Sequence, residues 1–411
     1  MDPKQKGHGD FVVTLQLDIG QIVLGVEQVR EFYFIEDIYS YCVTGQITFT
    51  DRQGIFEFGP LTGNERISIV YGENNDEEWT FDIFKTSRIE RNNGGREGES
   101  GLIQLFFVDS MFYNLNFLHY SRSWKDEKIS TIIDEMSTNM LSVDKWGQKE
   151  TTEETLDFFY MPYWTPNKAI TWLLKRSTGN RSKMPGFCFY NNSKGTNMVT
   201  LDTLLKQQKL LSINDKDDGL YVFVDENTIL LNKILDWSIS GMDSLSLKRI
   251  SGGTGLGYNT LDKSFKIKEN TYTDSLEKHT ILGQKSLFPD YSEVKSNYIN
   301  EVEDSTDKLN TMFNNVWIKL YNKQQIISIT TRGHEERYCG AMIEIYWPSI
   351  DGVNSQYNKQ LSGKYLIKSI THHFSGYNTP AYAQKMVLIK NGYEDCDLKT
   401  LVKSTKNNMA K

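Results

Sequence analysis

The fold of this chain is decided by Ile67-Ser68-Ile69-Val70-Tyr71 and by its counterpart near the other end, Ile343-Glu344-Ile345-Tyr346. In both stretches an apolar residue stands at every second position, which is the pattern of a strand with one buried face. A glycine precedes each of them, Gly63 in the first case and Gly340 in the second. The sequence therefore contains one strand pattern twice.

The two segments after each stretch also correspond. Residues 81–85 correspond to residues 365–368, and residues 102–106 correspond to residues 383–387. These matches predict two β units of one strand order, although the alternative is that unrelated strands share this appearance. The predicted equivalences place Ile67, Ile69, Ile83 and Leu105 on Ile343, Ile345, Ile367 and Met386.

Further strand patterns occur before residue 110. Apolar and polar residues alternate over residues 11–19 and 43–49, whereas residues 102–108 carry large apolar side chains on both faces. Turn-forming residues at 51–54 and 92–95 separate such segments. This spacing predicts a small antiparallel barrel or sandwich.

Helix signals mark the middle of the chain. Ile129, Ile132, Ile133 and Met136 have the spacing of one helix face. Thr165 before Pro166 predicts the start of a second helix, with threonine as N-cap and proline in the first turn. An aromatic strand at 187–190, a turn at 191–195 and an apolar segment at 201–205 complete a predicted α/β domain.

The remainder of the chain is mostly strand-like again. Strand patterns occur at 221–224, 229–231, 326–331, 342–347, 365–370 and 383–389. The polar residues 251–300 predict loops and an inserted subdomain. A helix is predicted from the apolar stripe of Leu309, Met312, Phe313, Val316, Trp317 and Leu320.

Composition excludes several classes of protein. The 411 residues carry a formal net charge of −7, which argues against nucleic-acid binding. We expect neither a secretory signal nor a membrane-spanning helix, because the sequence has no basic start followed by an apolar run and no window of about 18 apolar residues. Cys42, Cys188, Cys339 and Cys396 are far apart, so we expect free thiols in a chain made in a cytoplasm.

No catalytic pattern stands out, so we predict no enzyme and no catalytic, cofactor-binding or metal-binding residues. The glycine-rich residues 252–257 predict a mobile loop. His372 and His373 are adjacent on a predicted strand, so they point to opposite faces and cannot hold one metal together. A metal site that adds His334 and Cys339 is the alternative.

Two other groups of residues allow a carbohydrate-related interpretation. We interpret the acidic pairs Glu36-Asp37 and Glu77-Glu78 as parts of a solvated face. A glycosidase site is the alternative, but adjacency in sequence does not establish the separation of carboxyl groups that it requires. Tyr160, Tyr163 and Trp164 favour a packed entry into the second helix, with a sugar-binding platform as the alternative.

The order of these segments resembles the central hub proteins of contractile phage tails and the hub-like part of type VI secretion spike proteins. Pro60-Leu61-Thr62-Gly63-Asn64-Glu65-Arg66-Ile67 is similar to the family's entry into a strand of its first barrel. Ser121-Arg122-Ser123-Trp124 resembles the start of its second domain, and residues 158–172 and 187–205 resemble later segments of that domain. Residues 340–348, 363–367 and 371–374 resemble its second barrel. The match covers residues 10–395 but shows no motif over 251–300.

The resemblance implies an α+β, β-rich fold with two similar antiparallel barrels. The expected division is a first hub barrel at 10–112, an α/β domain at 113–215, and a second hub barrel at 216–257 and 320–396. An inserted subdomain with a helix is expected at 258–319, and a flexible tail at 397–411.

The resemblance also implies a structural virion protein of the tail baseplate. We expect a homotrimeric hub that adapts the six-fold tail tube to a three-fold spike and forms a conduit for DNA ejection, with an acidic or neutral lumen. The expected partners are the tail tube, a separate spike protein and wedge proteins. The alternatives are a siphophage-type tail tip protein, a type VI secretion-like hub and, from another class, a cell-wall glycan hydrolase.

Overall fold

The computed structural model shows a β-rich chain organised around one large sheet of 13 strands. Three small sheets of two or three strands accompany the large one. No helix in the part of the chain described has the length and apolar composition needed to cross a bilayer. The structure describes residues 11–18, 20–51, 63–72, 77–89, 101–208, 220–221, 234–240, 252–259, 263–271, 279–283, 301–302, 315, 318–347, 358, 360–376 and 381–393.

The first β unit is an antiparallel part of the large sheet. Its strands are β1 (Phe11–Leu17), β2 (Gly20–Leu24), β3 (Val29–Asp37), β4 (Thr44–Thr50), β5 (Arg66–Tyr71), β6 (Glu77–Ile89) and β7 (Leu102–Asp109). They pair in the order β3-β4-β7-β6-β5-β1-β2. The predicted alternation in β1 is confirmed, because Phe11, Val13 and Leu15 are buried. The core is rich in aromatic rings, and Phe81 and Phe107 lie 4.8 Å apart.

The second β unit repeats this arrangement near the other end of the chain. It contains β13 (Leu220–Tyr221), β14 (Ile234–Ser240), β18 (Gln325–Arg332), β19 (Met342–Tyr346), β20 (Gly363–Ser375) and β21 (Ala381–Lys390). These strands pair in the order β14-β18-β21-β20-β19-β13. The first five repeat the order β3-β4-β7-β6-β5, and they follow one another along the chain in the same sequence. The strands predicted after residue 325 are confirmed.

The strand registers of the two units also agree. Ile67 lies opposite Phe81 as Ile343 lies opposite Tyr365. A β-bulge follows Ile83 in β6, and a β-bulge follows Ile367 at the corresponding point of β20. Leu105 pairs with Ile47 as Met386 pairs with Ile329. The predicted equivalences are therefore confirmed at the level of strand pairing.

The two units are joined by a pair of strands that the sequence did not indicate. Strand β20 pairs antiparallel with β3, with Thr371 opposite Ile35 and His373 opposite Tyr33. The sheet is thus continuous from one unit to the other. Closure of each unit into a barrel and the bounds of the domains stay predictions.

In the sequence, the α/β region follows the first unit and precedes the second. The two helices predicted for this region are confirmed. Ile129, Ile132, Ile133 and Met136 are buried on one face, and the Thr165 side chain accepts a hydrogen bond from the Lys168 N–H. The elements are α1 (Met111–Asn116), β8 (Tyr120–Lys128), α2 (Ile129–Asn139), β9 (Trp146–Lys149), β10 (Thr155–Trp164), α3 (Pro166–Leu174), β11 (Phe187–Asn192), β12 (Gly195–Thr200) and α4 (Leu201–Leu205).

The glycine-rich residues form a strand, so the predicted mobile loop is wrong. Strand β15 (Gly252–Asn259) pairs antiparallel with β16 (Ser264–Thr271) and parallel with β17 (Glu301–Val302). Glycine is depleted in strands, so these residue types do not predict a strand here.

Several predictions fall outside the described residues. At the end of the helix predicted from Leu309 to Leu320, residues 318–321 are helical and Ile318 is buried. The residues that lie outside are Ile19, Leu309, Met312, Phe313, Val316, Trp317 and Cys396, together with the turns at 52–54 and 92–95 and the strands at 222–224 and 229–231.

Candidate assembly surface

The acidic candidate Glu36 is completely buried at the junction of the two units, so its predicted solvated face is wrong. Its Oε2 accepts a hydrogen bond of 2.9 Å from the Cys339 N–H, and its Oε1 lies 3.5 Å from His372 Nε2. Strand β20 lies beside β3 in the sheet, with Ile370 opposite Glu36, and the alternation of residues in β3 does not reveal this neighbour. The neighbouring Asp37 is half-buried and forms an ion pair with Lys368.

The two adjacent histidines point to opposite faces, as predicted. His372 is buried, with its Nδ1 2.7 Å from the Tyr382 hydroxyl and its ring stacked 4.5 Å from Phe34. His373 is half-buried, and its Nε2 lies 3.3 Å from the Glu31 carboxylate. These contacts tie β20 to β3, and they give the histidines a packing role.

The residues described contain no cluster of three His, Cys, Asp or Glu side chains that could hold a metal ion. Cys42, Cys188 and Cys339 are buried free thiols, as predicted. Burial raises the pKa of the Cys188 thiol to about 12 and the pKa of Cys339 well above its usual value. These cysteines are therefore protonated and poorly nucleophilic at neutral pH.

The aromatic residues before α3 are more exposed than predicted. Tyr160 and Tyr163 lie on the open face of the two-stranded β8–β10 ribbon, so the packed entry is wrong for both. Phe159 and Met161 lie on either side of Tyr160 along β10 and are buried. Trp164 is half-buried and near Trp172, as a packed entry requires. The sugar-binding platform stays an untested alternative.

Strand β7 has one core face and one partly covered face. Ile103, Leu105 and Phe107 are buried in the first unit. On the other face Phe106 is half-buried, and its nearest aromatic neighbour, the exposed Phe84 of β6, lies 6.4 Å away. The outer face of the β6–β7 pair therefore carries two aromatic rings, and the Lys85 ammonium lies 5.2 Å from the centre of the Phe106 ring.

Strand β14 carries exposed apolar side chains at one end of the large sheet. Leu235, Trp237 and Ile239 are exposed, whereas Ile234 is buried and the Trp237 ring lies 5.1 Å from the Trp347 ring. The strand pairs with β18 in the large sheet. This strand was not predicted, although its apolar residues alternate with Asp236, Ser238 and Ser240. An exposed apolar edge of this kind is a template for pairing with another strand.

Comparison with known proteins shows which fold this is. No protein-family model and no curated protein matches the sequence. A tail protein from Neisseria meningitidis MC58 is similar in structure, with a TM-score of 0.56 and 10% identity, over 92% of this chain and 96% of that one. The 43 kDa tail protein of prophage MuSo2 from Shewanella oneidensis is equally similar, with a TM-score of 0.56 and 10% identity, over 92% of this chain and 98% of that one. This chain has the fold of phage tail proteins.

Proposed function

We propose that this chain is a structural protein of a phage tail baseplate, a homotrimeric hub that adapts the six-fold tail tube to a three-fold spike. The shared fold supports a place in a tail, because the likeness extends over nearly the whole length of both tail proteins. Fold alone does not define function, because one fold hosts many functions.

The observation that carries the proposal is the internal duplication. The two β units agree in strand order, in register and in the positions of their bulges. Three chains with two units each would present six nearly equivalent units to a six-fold tube. Cyclic assemblies repeat one interface until the ring closes. Strand number and tilt together set the size of a barrel, so two units of one design can lie at one radius.

The proposed domains keep the bounds expected from the sequence, with hub barrels at 10–112 and at 216–257 with 320–396. The partners are the tail tube, a central spike protein and wedge proteins. DNA passes through the lumen without specific binding, and the net charge of −7 fits a lining that does not hold phosphates. The chain acts without catalysis.

Native mass spectrometry and electron microscopy of the purified full-length chain test this proposal. We expect a mass of three chains and a ring with six similar lobes, to which the tail tube protein binds on one face. A monomer at high concentration or an isologous dimer would contradict it. Hydrolysis of peptidoglycan that is abolished by one carboxylate substitution would contradict the absence of catalysis.

A further inference from the structure

We propose that this chain binds a small organic anion, whose charged group lies against lysines beside Tyr39 and whose apolar part fills a neighbouring cavity. The site lies where the residues after β3, the α/β region and the residues before β18 meet. The inference concerns a single chain, so it does not depend on the proposed trimer.

Three lysine side chains converge on the ring of Tyr39. The Nζ atoms of Lys319, Lys323 and Lys368 lie 5.6, 4.8 and 5.7 Å from the centre of that ring. An ammonium group within about 6 Å of an aromatic ring is attracted to it. Burial lowers the pKa of Lys323, and the positive charges of Lys368 and Lys319 lower it further. The three ammonium groups therefore repel one another.

One carboxylate balances this group only in part. Asp37 Oδ2 lies 2.5 Å from Lys368 Nζ, whereas Lys319 and Lys323 form no ion pair in the part of the chain that the structure describes. Both of these lysines are half-buried. Partly buried charges of one sign are stabilised by a counter-ion, since burial removes some of their water. An anion from outside the chain would supply the missing negative charge.

A cavity of about 640 Å³ adjoins these lysines, and Tyr39 and Lys319 are part of its wall. Residues 38–42 after β3 contribute to the wall, together with side chains of α1, α3 and β11. Apolar side chains predominate there and include Phe112, Leu115, Leu174, Phe187 and Leu320. Cavities of this size and composition bind small organic molecules.

The wall of the cavity carries positive charge without a compensating negative charge. Lys175 and Lys319 belong to it, and none of its residues is Asp or Glu. Burial raises the pKa of Tyr39 well above its usual value and raises the pKa of the Cys188 thiol to about 12, so both groups are neutral at pH 7. The cavity therefore favours an anion over a cation.

Polar side chains of the wall find partners within the chain. The Tyr41 hydroxyl lies 2.7 Å from Thr171 Oγ1, and Asn167 Nδ2 donates to Asn116 Oδ1 at 2.8 Å. The lysines thus select the charge of the ligand, and the apolar wall selects its body. A phosphate or a carboxylate on an apolar body meets both requirements.

Isothermal titration calorimetry of the full-length chain at fixed ionic strength tests the site with phenyl phosphate, benzoate and inorganic phosphate. We expect saturable binding of one organic probe per chain, whatever the oligomeric state. Inorganic phosphate should bind at least about tenfold more weakly, because it lacks the apolar part that the cavity would bury. The tighter of the two organic probes assigns the site to organic phosphates or to carboxylates.

Lysine variants locate the bound probe. Lys319→Gln should weaken binding of the tighter organic probe about tenfold, since it removes one charge beside the cavity. Lys175→Gln should weaken it as well, and this side chain is exposed, so its loss should leave the fold intact. The matched control is Lys125→Gln, an exposed lysine of β8 outside the wall, which should bind the probe as the unaltered chain does.

Three results would overturn the proposal. The first is no saturable binding of either organic probe up to about 10 mM. The second is equal affinity for inorganic phosphate and the organic probes, which would leave the cavity without a part in binding. The third is an affinity that Lys319→Gln and Lys175→Gln change no more than Lys125→Gln does. Native mass of the same samples reports separately on the trimer.

Discussion

Glu150 is a buried carboxylate held by four hydrogen-bond donors. The Ser182 N–H donates at 3.0 Å and the Thr200 N–H at 3.1 Å, and the hydroxyls of Thr200 and Thr203 donate at 2.8 and 2.7 Å. Burial by itself raises the pKa of Glu150, but the hydrogen bonds outweigh it and leave the pKa below its usual value. The carboxylate therefore connects the end of β9 to the start of α4.

Glu150→Gln should destabilise the fold at pH 7 by about 2 kcal/mol, because the amide presents donors to donors. The pKa is lower in the folded state, so the unfolded chain binds the proton more readily. The contribution of Glu150 is thus present above the unfolded pKa and is lost as pH falls through the folded pKa. Urea unfolding of both proteins at pH 7 and at acidic pH should show the difference shrinking.

The matched control is Glu153→Gln, which removes only an exposed ion pair with Lys183. It should change the free energy of unfolding by less than about 0.5 kcal/mol. Equal losses from both variants, or a loss from Glu150→Gln that does not depend on pH, would contradict the proposed role of the carboxylate.

Helix α3 begins with a side-chain cap that the sequence reveals. The Thr165 hydroxyl accepts from the Lys168 N–H at 3.4 Å, and Pro166 fills the first helical position. Thr165→Ala should lower the free energy of unfolding by about 1 kcal/mol. Thr165→Ser keeps the acceptor and should retain most of the stability in the same urea titration. A serine variant as unstable as the alanine variant would show that the cap contributes nothing.

Strands β3, β4 and β7 approach one another closely at Gly45. A Cβ atom there would lie 2.4 Å from the Tyr33 carbonyl oxygen and 2.5 Å from the Phe107 ring. Gly45→Ala should therefore cost about 1–3 kcal/mol by overpacking. The neighbouring Gln46→Ala is the control and should cost less in thermal unfolding, since it adds no atoms. If Gly45→Ala left thermal unfolding unchanged, the three strands would be able to move apart without a loss of stability.

At the scale of the whole molecule, the two units are joined by the pairing of β20 with β3. Phe374 belongs to the second unit but is buried in the core of the first, stacked on Phe32. Phe374→Ala should cost about 3–5 kcal/mol and destabilise both units in one transition. Phe84→Ala removes an exposed ring and should leave thermal unfolding nearly unchanged. Two separated transitions, with only one of them shifted by Phe374→Ala, would contradict a cooperative junction.

The sequence by itself determined the elements whose signals are local. Helix faces, the α3 cap and most strands follow from spacing of about one turn or two residues, because the backbone geometry sets those periods. The duplication could also be predicted from the sequence, because matching strands such as residues 67–71 and 343–346 keep their order along the chain. The hub resemblance rested on the same local segments.

Only the tertiary structure decided which faces are covered. Glu36 is buried because it contacts Cys339 and His372, which are distant in sequence, whereas Tyr160 lies exposed on a strand that pairs with β8. No local period encodes these neighbours. The same holds for the candidate assembly surface. Phe32 is buried and stacks on Phe374 of β20, whereas Trp237 is exposed. Burial depends on the partner strand, and strand pairing joins residues hundreds of positions apart through backbone groups that every residue shares.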